Sequence, residues 1–177
     1  ANHLPSVSRC PVALVPLTPW DGERWVPDAW QAVALGLRAR GAAPVVLCGP
    51  GESAAADRET GGGLPVETCA DVRDWVRRLD RGGAAVCVNT GPMHLAAALD
   101  LALVVVEGSS RLPLWAPSSR NARIVHHQDQ EPCAPCHQAG DAARRCGRRC
   151  MLRVLPGEVL RAFDEVCPIS PPSCETP

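Results

Sequence analysis

The stretch "AAVCVNTGPMHLAAALDLALVVVEGSS", residues 84–110, decides the fold class. Two apolar runs, AAVCVN and LALVVVEG, flank a segment of small residues with helical character. A strand that is covered on both faces is continuously apolar, whereas a strand with one exposed face alternates. The order strand, helix, strand therefore predicts a parallel unit inside a covered sheet.

The same alternation continues along the rest of the chain, which has 177 residues and suits one domain. The further predicted strands are residues 10–17, 43–48, a short strand around Val66, and 122–127. The predicted helices are residues 27–41, 52–59, 71–83 with Asp71 as N-cap, 91–100 with Pro92 in the first turn, and 156–166. This pattern predicts an α/β fold, a Rossmann-like parallel sheet with helices on both faces.

The composition bounds the class of protein. Hydrophobic residues make up 46% of the chain, all 18 basic residues are arginine, and the net charge of −1 implies no bulk attraction to nucleic acid. No apolar run reaches the roughly 18 residues of a membrane helix, and no signal peptide is recognisable. The chain begins without Met, so we expect a fragment. We expect a cytoplasmic protein, because cysteines such as Cys48 and Cys87 lie in apolar runs.

The predicted organisation is a linker at residues 1–9, one domain at 10–165 with a Cys-rich segment at 133–150, and a Pro-rich tail at 166–177. Ligands of open parallel sheets bind beyond the carboxyl ends of the strands. The loops at 17–24, 49–52, 89–94 and 107–110 leave strand ends there. We expect all four loops to converge on one edge of the sheet.

The loop at 89–94 carries the strongest binding signal. Free N–H groups at the start of a helix favour an anion, and Gly91 allows close approach to the backbone. The Thr90 hydroxyl and His94 can donate hydrogen bonds to a phosphate, and Asn89 can bind a sugar hydroxyl. The alternative is a plain helix cap by Asn89 or Thr90, with His94 merely exposed.

Two further loops carry lesser signals. Gly49 allows a tight turn after its strand, and Glu52 can accept hydrogen bonds from ribose hydroxyls; the alternative is an ordinary strand–helix turn. Thr18 and Arg24 can contact a diphosphate. The alternative there is a surface loop whose two tryptophans are packing anchors.

Four cysteines are clustered, with C-x-x-C spacing in the first pair. Cys133, Cys136, Cys146 and Cys150 predict a structural Zn or Fe site, with His137 as a substitute ligand. Nearby arginines would lower the pKa values of the thiols. The alternatives are two disulfides or reduced packing thiols.

Taken together, these motifs resemble glycosyltransferase family 9, the bacterial lipopolysaccharide heptosyltransferases. "NTGPMHLAAALDLALVVVEGSS" resembles the family's Asp-Thr-Gly-Pro-x-His strand–helix–strand unit. "ALVPLTPWDGERWVPDAW" resembles its strand and Lys-x-Trp-Pro loop, and "PCAPC…CGRRCMLRVLPGEVL" its Cys-x-Pro-Cys…Cys-Met tail. The resemblance covers residues 10–163.

The resemblance implies the GT-B fold, of which this chain would be the C-terminal, donor-binding half. It places Thr90, Gly91 and His94 against a diphosphate and sugar, Glu52 against a ribose, and the loop at residues 65–70 beside the base. The intact protein would transfer heptose from ADP-heptose to a lipopolysaccharide core acceptor with inversion. The base and the acceptor contacts would belong to an N-terminal domain, and the protein would associate peripherally with the inner membrane. No organic cofactor is implied, and the fragment alone should be inactive.

Two departures from the family pattern favour a competing hypothesis. Asn89 stands where the family commonly has Asp, and Glu23 stands where it has a Lys that neutralises the donor diphosphate. Glu23 would repel that diphosphate unless Arg24 compensates. The alternative function is a non-catalytic, degenerate module with a structural Cys site. A nucleotide-sugar epimerase of similar build fits the motifs less well.

Overall fold

A computed structural model of the protein describes residues 10–136 and 147–167. The strands are β1 (Pro11–Val15), β2 (Ala43–Cys48), β3 (Val66–Thr68), β4 (Ala84–Val88), β5 (Ala102–Val106) and β6 (Ala122–Val125). The helices are α1 (Pro27–Ala39), α2 (Ser53–Glu59), α3 (Val72–Gly82), α4 (Gly91–Ala98), α5 (Leu112–Trp115), α6 (Arg149–Leu152) and α7 (Pro156–Val166). Two 3-10 turns lie at Asp21–Glu23 and Gln128–Gln130.

The strands form one parallel sheet in the order β3-β2-β1-β4-β5-β6. In the register of the central strands, Leu14 of β1 lies beside Val46 of β2 and Val86 of β4. One hydrophobic cluster packs α1 and α7 on one face, and a second packs α3 and α4 on the other. The predicted Rossmann-like sheet with helices on both faces is confirmed. The strand order reverses between β1 and β4, where such sheets bind ligands.

Helix α3 shows how local sequence sets an element's bounds. The Asp71 carboxylate accepts a hydrogen bond from the Asp74 N–H at 2.8 Å, which satisfies one of the free donors of the first turn. Gly83 ends the helix in the left-handed region, with φ of 68°, where a side chain would be strained. The predicted cap is therefore confirmed.

Two buried tryptophans tie the loop after β1 to the end of the chain. Trp25 and Trp30 pack edge to face, with ring centroids 5.4 Å apart. The indole N–H of Trp25 donates to the carbonyl of Val154 at 3.1 Å, beyond α6. Burying Trp25 with its N–H paired fixes where residues 18–24 leave the sheet.

The sequence did not predict α5 or α6. Both are single turns, too short for a hydrophobic period to reveal them, and α6 overlaps the end of the Cys-rich segment. The predicted linker at 1–9 and residues 168–177 of the predicted tail lie outside the described residues. Within the described ranges, no helix combines the length and the apolar character needed to cross a membrane.

Candidate ligand-binding site

A cavity of about 380 Å³ lies at the carboxyl edge of the sheet; we call it the first cavity. It is lined by residues 19–23, 89–91, His94, Ser109, Ser110, Trp115 and Cys136. These loops follow β1, β4 and β5, which are neighbours in the sheet. The predicted convergence of these three loops is therefore observed, at the point where strand order reverses.

The start of α4 faces this cavity. Thr90 is the N-cap residue, but its hydroxyl makes no capping hydrogen bond. Gly91 and His94 are exposed, and all three residues line the cavity wall. The N–H groups of a first helical turn lack partners within the helix and carry a partial positive charge. This arrangement can hold an anionic group, and the simple cap by the Thr90 side chain is not what the structure shows.

A second cavity, of about 540 Å³, adjoins the first and shares Pro19 and Thr90 with it. Thr18, Gly49 and Glu52 all line this second cavity. The Glu52 carboxylate accepts a hydrogen bond from the Gly49 N–H at 2.7 Å, which orients it within its own turn. The wall is completed by Trp75 of α3, among other residues, rather than by residues 65–70.

Arg24 borders the second cavity and is absent from the lining of the first. Its guanidinium contacts the Glu59 carboxylate at 3.4 Å and the Asp21 carboxylate at 3.6 Å. Among the described residues that line the first cavity, none is arginine. No arginine in the described part of this wall therefore faces an anion held at the start of α4.

Glu23 points into the protein, which the sequence could not reveal. Only 2% of the residue is exposed. Its carboxylate accepts hydrogen bonds from the N–H of Gly108 at 2.9 Å, and from the N–H and hydroxyl of Ser109, both at 2.7 Å. Glu23 thus joins the turn after β1 to the loop after β5.

Asn89 also has a structural partner. Its amide nitrogen donates to the Glu107 carboxylate at 2.8 Å and to the Ser110 hydroxyl at 2.7 Å. The Glu107 carboxylate further accepts from the Ser110 hydroxyl at 2.5 Å and N–H at 3.1 Å. The pKa of Glu107 is raised to about 7. Burial is the larger cause, and the neighbouring Glu23 is the second.

Sequence reasoning missed Glu107, Ser109 and Ser110 as members of this site. The available signal was an acidic residue directly after a five-residue buried strand, in a run of Gly and Ser. A carboxyl at that place is buried by its own strand and needs donors from a neighbouring loop. Glu23 and Asn89, singled out for other reasons, belong to the same network.

Of the four predicted metal ligands, three lie in the described part of the chain. Cys136 lines the first cavity, Cys133 is exposed and Cys150 is buried, whereas Cys146 lies outside the described residues. His137 also lies outside them. Within the described ranges, no group of three or more potential ligands could hold a metal ion. The described cysteines therefore do not form a metal site by themselves.

A buried carboxylate brings the two Cys-bearing segments together. Glu131 contacts the guanidinium of Arg149 at 3.0 Å and that of Arg153 at 2.7 Å. These hydrogen bonds and charges hold the pKa of Glu131 below its usual range. The segment that carries Cys133 and Cys136 is thereby attached to α6.

Comparison with known proteins decides the family. The sequence model of glycosyltransferase family 9 (heptosyltransferase) matches residues 1–146. The chain belongs to glycosyltransferase family 9. No curated protein matches this family 9 chain at a significant level.

Solved structures show the same fold. The ADP-heptose LPS heptosyltransferase II of E. coli has a TM-score of 0.69 at 18% identity, covering 91% of this chain and 47% of its own. E. coli heptosyltransferase WaaC with ADP has a TM-score of 0.59 at 22% identity, covering 82% and 46%. Dodecameric iron-containing heptosyltransferase TibC, in complex with ADP-D-beta-D-heptose, has a TM-score of 0.64 at 14% identity, covering 94% and 47%.

The family 9 chain therefore spans about half the length of these structures. Its single six-stranded parallel sheet is one Rossmann-like half of the two-domain GT-B fold. At these identities the similarity concerns the fold, and the residues of the cavities must be judged by their own chemistry.

Proposed function

We propose that this chain is the donor-binding half of a cytoplasmic heptosyltransferase-like enzyme. The observation that carries the proposal is the pair of adjoining cavities that share Thr90 at the carboxyl edge of the sheet. Both have the size of small-ligand sites. A nucleoside diphosphate sugar fits this arrangement, with its diphosphate at the start of α4, its ribose near Glu52, and its sugar in the first cavity.

The proposed reaction is a direct displacement at the anomeric carbon of ADP-heptose. The oxygen of an acceptor hydroxyl bonds to that carbon while the bond to the diphosphate breaks, so the configuration inverts. The hydroxyl proton passes to a base in an N-terminal domain, which also binds the lipopolysaccharide core acceptor and contacts the inner membrane. In this chain, the Thr90 hydroxyl and the first-turn N–H groups of α4 stabilise the charge on the departing ADP.

Replacing Thr90 and His94 together with alanine should weaken ADP-heptose binding by at least about tenfold, because a hydrogen bond to a charged group contributes about 1.5–3 kcal/mol. Titration calorimetry measures this effect. The matched control is Ser119→Ala, which removes a hydroxyl that binds Asp100, away from both cavities. Failure of the whole protein to bind ADP-heptose would contradict the proposed function.

One observation favours the alternative, a non-catalytic module. Glu23 occupies the place of the family's cationic residue, is buried, and leaves the described wall of the first cavity without an arginine. Heptose transfer by the whole protein distinguishes the two functions. A protein that binds ADP-heptose, yet releases no ADP in the presence of a lipopolysaccharide acceptor, would establish the non-catalytic module.

We also propose that Cys133, Cys136, Cys146 and Cys150 hold a structural Zn or Fe. The spacing of the cysteines and the attachment of their segments through Glu131 support this. Protein purified under reducing conditions should contain about one Zn or Fe per chain by elemental analysis. Metal-free protein whose four thiols all react with a thiol reagent would contradict the proposal.

A further inference from the structure

Two buried carboxyl groups meet under the first cavity; we call Glu23 and Glu107 the carboxyl pair. Glu23 and Glu107 are 2% and 1% exposed. They come from loops that are far apart in sequence, after β1 and after β5. Both bind the same short loop, residues 108–110, through its N–H and hydroxyl groups. The pair therefore lies where it can control the shape of one cavity wall.

Each member of the pair accepts three hydrogen bonds from described groups. Glu23 accepts from two backbone N–H groups and one hydroxyl, all of which stabilise a negative charge on it. Glu107 accepts from the Asn89 amide and from the hydroxyl and N–H of Ser110. Burial and the neighbouring Glu23 raise the pKa of Glu107 to about 7, so Glu107 is the member of the pair that we expect to bear a proton.

Among the residues that the structure describes, no ion pair joins either carboxyl to an arginine or a histidine. Beside Glu23, Asp21 and Arg24 contact each other, and Arg24 also contacts Glu59. His94 of α4 also lines the cavity and is exposed.

The other elements around the loop add few charges. Arg148, before α6, donates to the carbonyl of Arg24, and Arg111 lies exposed just beyond the loop. After β6, Gln128 donates to the Ser110 carbonyl, and His127 contacts Glu158.

Glu131 contacts the arginines at 149 and 153, and Cys136 completes the cavity wall. Among the described groups, these arginines are engaged elsewhere or exposed, so the proton is the charge that offsets the pair.

We propose that Glu23 and Glu107 share one proton, and that an anionic ligand in the first cavity binds together with uptake of that proton by the pair. The second half of this inference rests on the proposed function, which places a diphosphate at the start of α4, where it faces that cavity. The diphosphate and an ionised pair repel each other, so the bound state retains the proton at pH values where the free protein has begun to lose it.

The free protein tests the shared proton without any ligand. The pKa of Glu107, raised from its ordinary value of 4.5 to about 7, means that the proton stabilises the folded state. That stabilisation is complete below pH 4.5 and is lost as the pH rises towards 7. The folding equilibrium constant of the wild type should fall by up to about tenfold per pH unit in that window, relative to Glu107→Gln.

Glu107→Gln suits this comparison because glutamine keeps one donor and one acceptor, like a protonated carboxyl. Glu165→Gln is the matched control, since Glu165 is exposed on α7 and its loss should leave the pH dependence unchanged. Carbon-13 NMR of the glutamate carboxyls in the wild type should show one group that titrates near pH 7, whether or not the variant folds. Equal pH dependence in wild type and Glu107→Gln, with no such carboxyl, would overturn the inference.

The linkage to binding is tested with ADP-heptose, whose diphosphate keeps its charge between about pH 6 and 9. Calorimetry at pH 7.5 in two buffers of different ionisation enthalpy should show uptake of a fraction of a proton by the wild type and none by Glu107→Gln. Above pH 7, affinity should fall by up to about tenfold per unit in the wild type only. Binding without proton uptake overturns the linkage alone, whereas no binding at any pH overturns it together with the proposed function.

Discussion

Replacing Gly108 with alanine should destabilise the fold by about 3 kcal/mol, the upper end of what an extra carbon in a packed site costs. A Cβ at this position would lie 2.4 Å from the carbonyl oxygen of Gly22 and 3.4 Å from the Glu23 carboxylate. The carbonyl is backbone and cannot rotate away as a side chain could. The turn after β1 and the loop after β5 would have to separate.

The same separation should lower the affinity for ADP-heptose by at least about tenfold, because displacing the groups of a site by about 1 Å weakens their contacts with the ligand. Denaturant unfolding and calorimetry measure the two effects. The control is Gly157→Ala in α7, where the nearest atom to a new Cβ is the Arg161 guanidinium at 3.8 Å. We expect that variant to be as stable as the wild type. A Gly108→Ala protein with wild-type stability and affinity would show that the two loops are not in contact.

Asn89→Asp should destabilise the protein by about 2–4 kcal/mol at pH 8, because it removes two hydrogen bonds and places an unpaired carboxylate against Glu107. The pKa of Glu107 is already raised to about 7, so a third carboxyl in contact with it cannot ionise freely. The loss should shrink as the pH falls to 5, where the new carboxyl can take up a proton. Denaturant unfolding at several pH values measures this.

The double variant Asn89→Asp, Glu107→Gln is the decisive control. It restores the original number of carboxyls and lets the new amide donate to Asp at position 89. We expect it to recover most of the stability lost in the single variant, which makes the two substitutions strongly non-additive. Additive effects, or a single variant as stable as the wild type at pH 8, would remove Asn89 from the carboxyl network.

The network around Glu107 accounts for the two departures from the family pattern, at positions 23 and 89. An acid at position 89 and a cation at position 23 suit a site in which those two charges balance. In this chain position 23 carries a carboxyl that binds the same loop, residues 108–110, as Glu107 does, and position 89 supplies a donor to Glu107. An amide does so without adding charge. Asn89 and Glu23 are thus two parts of one arrangement.

Much of the fold followed from the sequence, since continuous apolar runs between amphipathic helices leave few alternatives to a covered parallel sheet. The cap at Asp71 also followed, because it depends on residues a few positions apart. The convergence of the loops followed because it depends only on the alternation of strands and helices along the chain. The direction of the Glu23 side chain did not, because it depends on donors in residues 108 and 109, more than 80 positions away. Its charge was evident, but its partners were not.

The cysteines illustrate a second limit. Their spacing is evident in the sequence, yet Cys136 lines the first cavity in a segment that Glu131 attaches to Arg149 and Arg153, and these contacts are not evident there. Likewise Arg24 was assigned to a diphosphate by its position in the loop. The structure shows it paired with two carboxylates at the border of the second cavity.

The hydrogen bond between Trp25 and Val154 spans 129 positions of the chain, and this has a consequence for biosynthesis. Residues 10–125 leave the ribosome before α6 and α7, which supply Met151, Val159 and Phe163 to the cluster around α1. Until those residues emerge, the Trp25 indole lacks its Val154 acceptor, and the face of the sheet under α1 lacks the part of its cover that α6 and α7 supply. Domains fold as units during translation. The loop at residues 18–24, which borders the ligand site, is therefore synthesised early but takes its final shape only when α7 has been made.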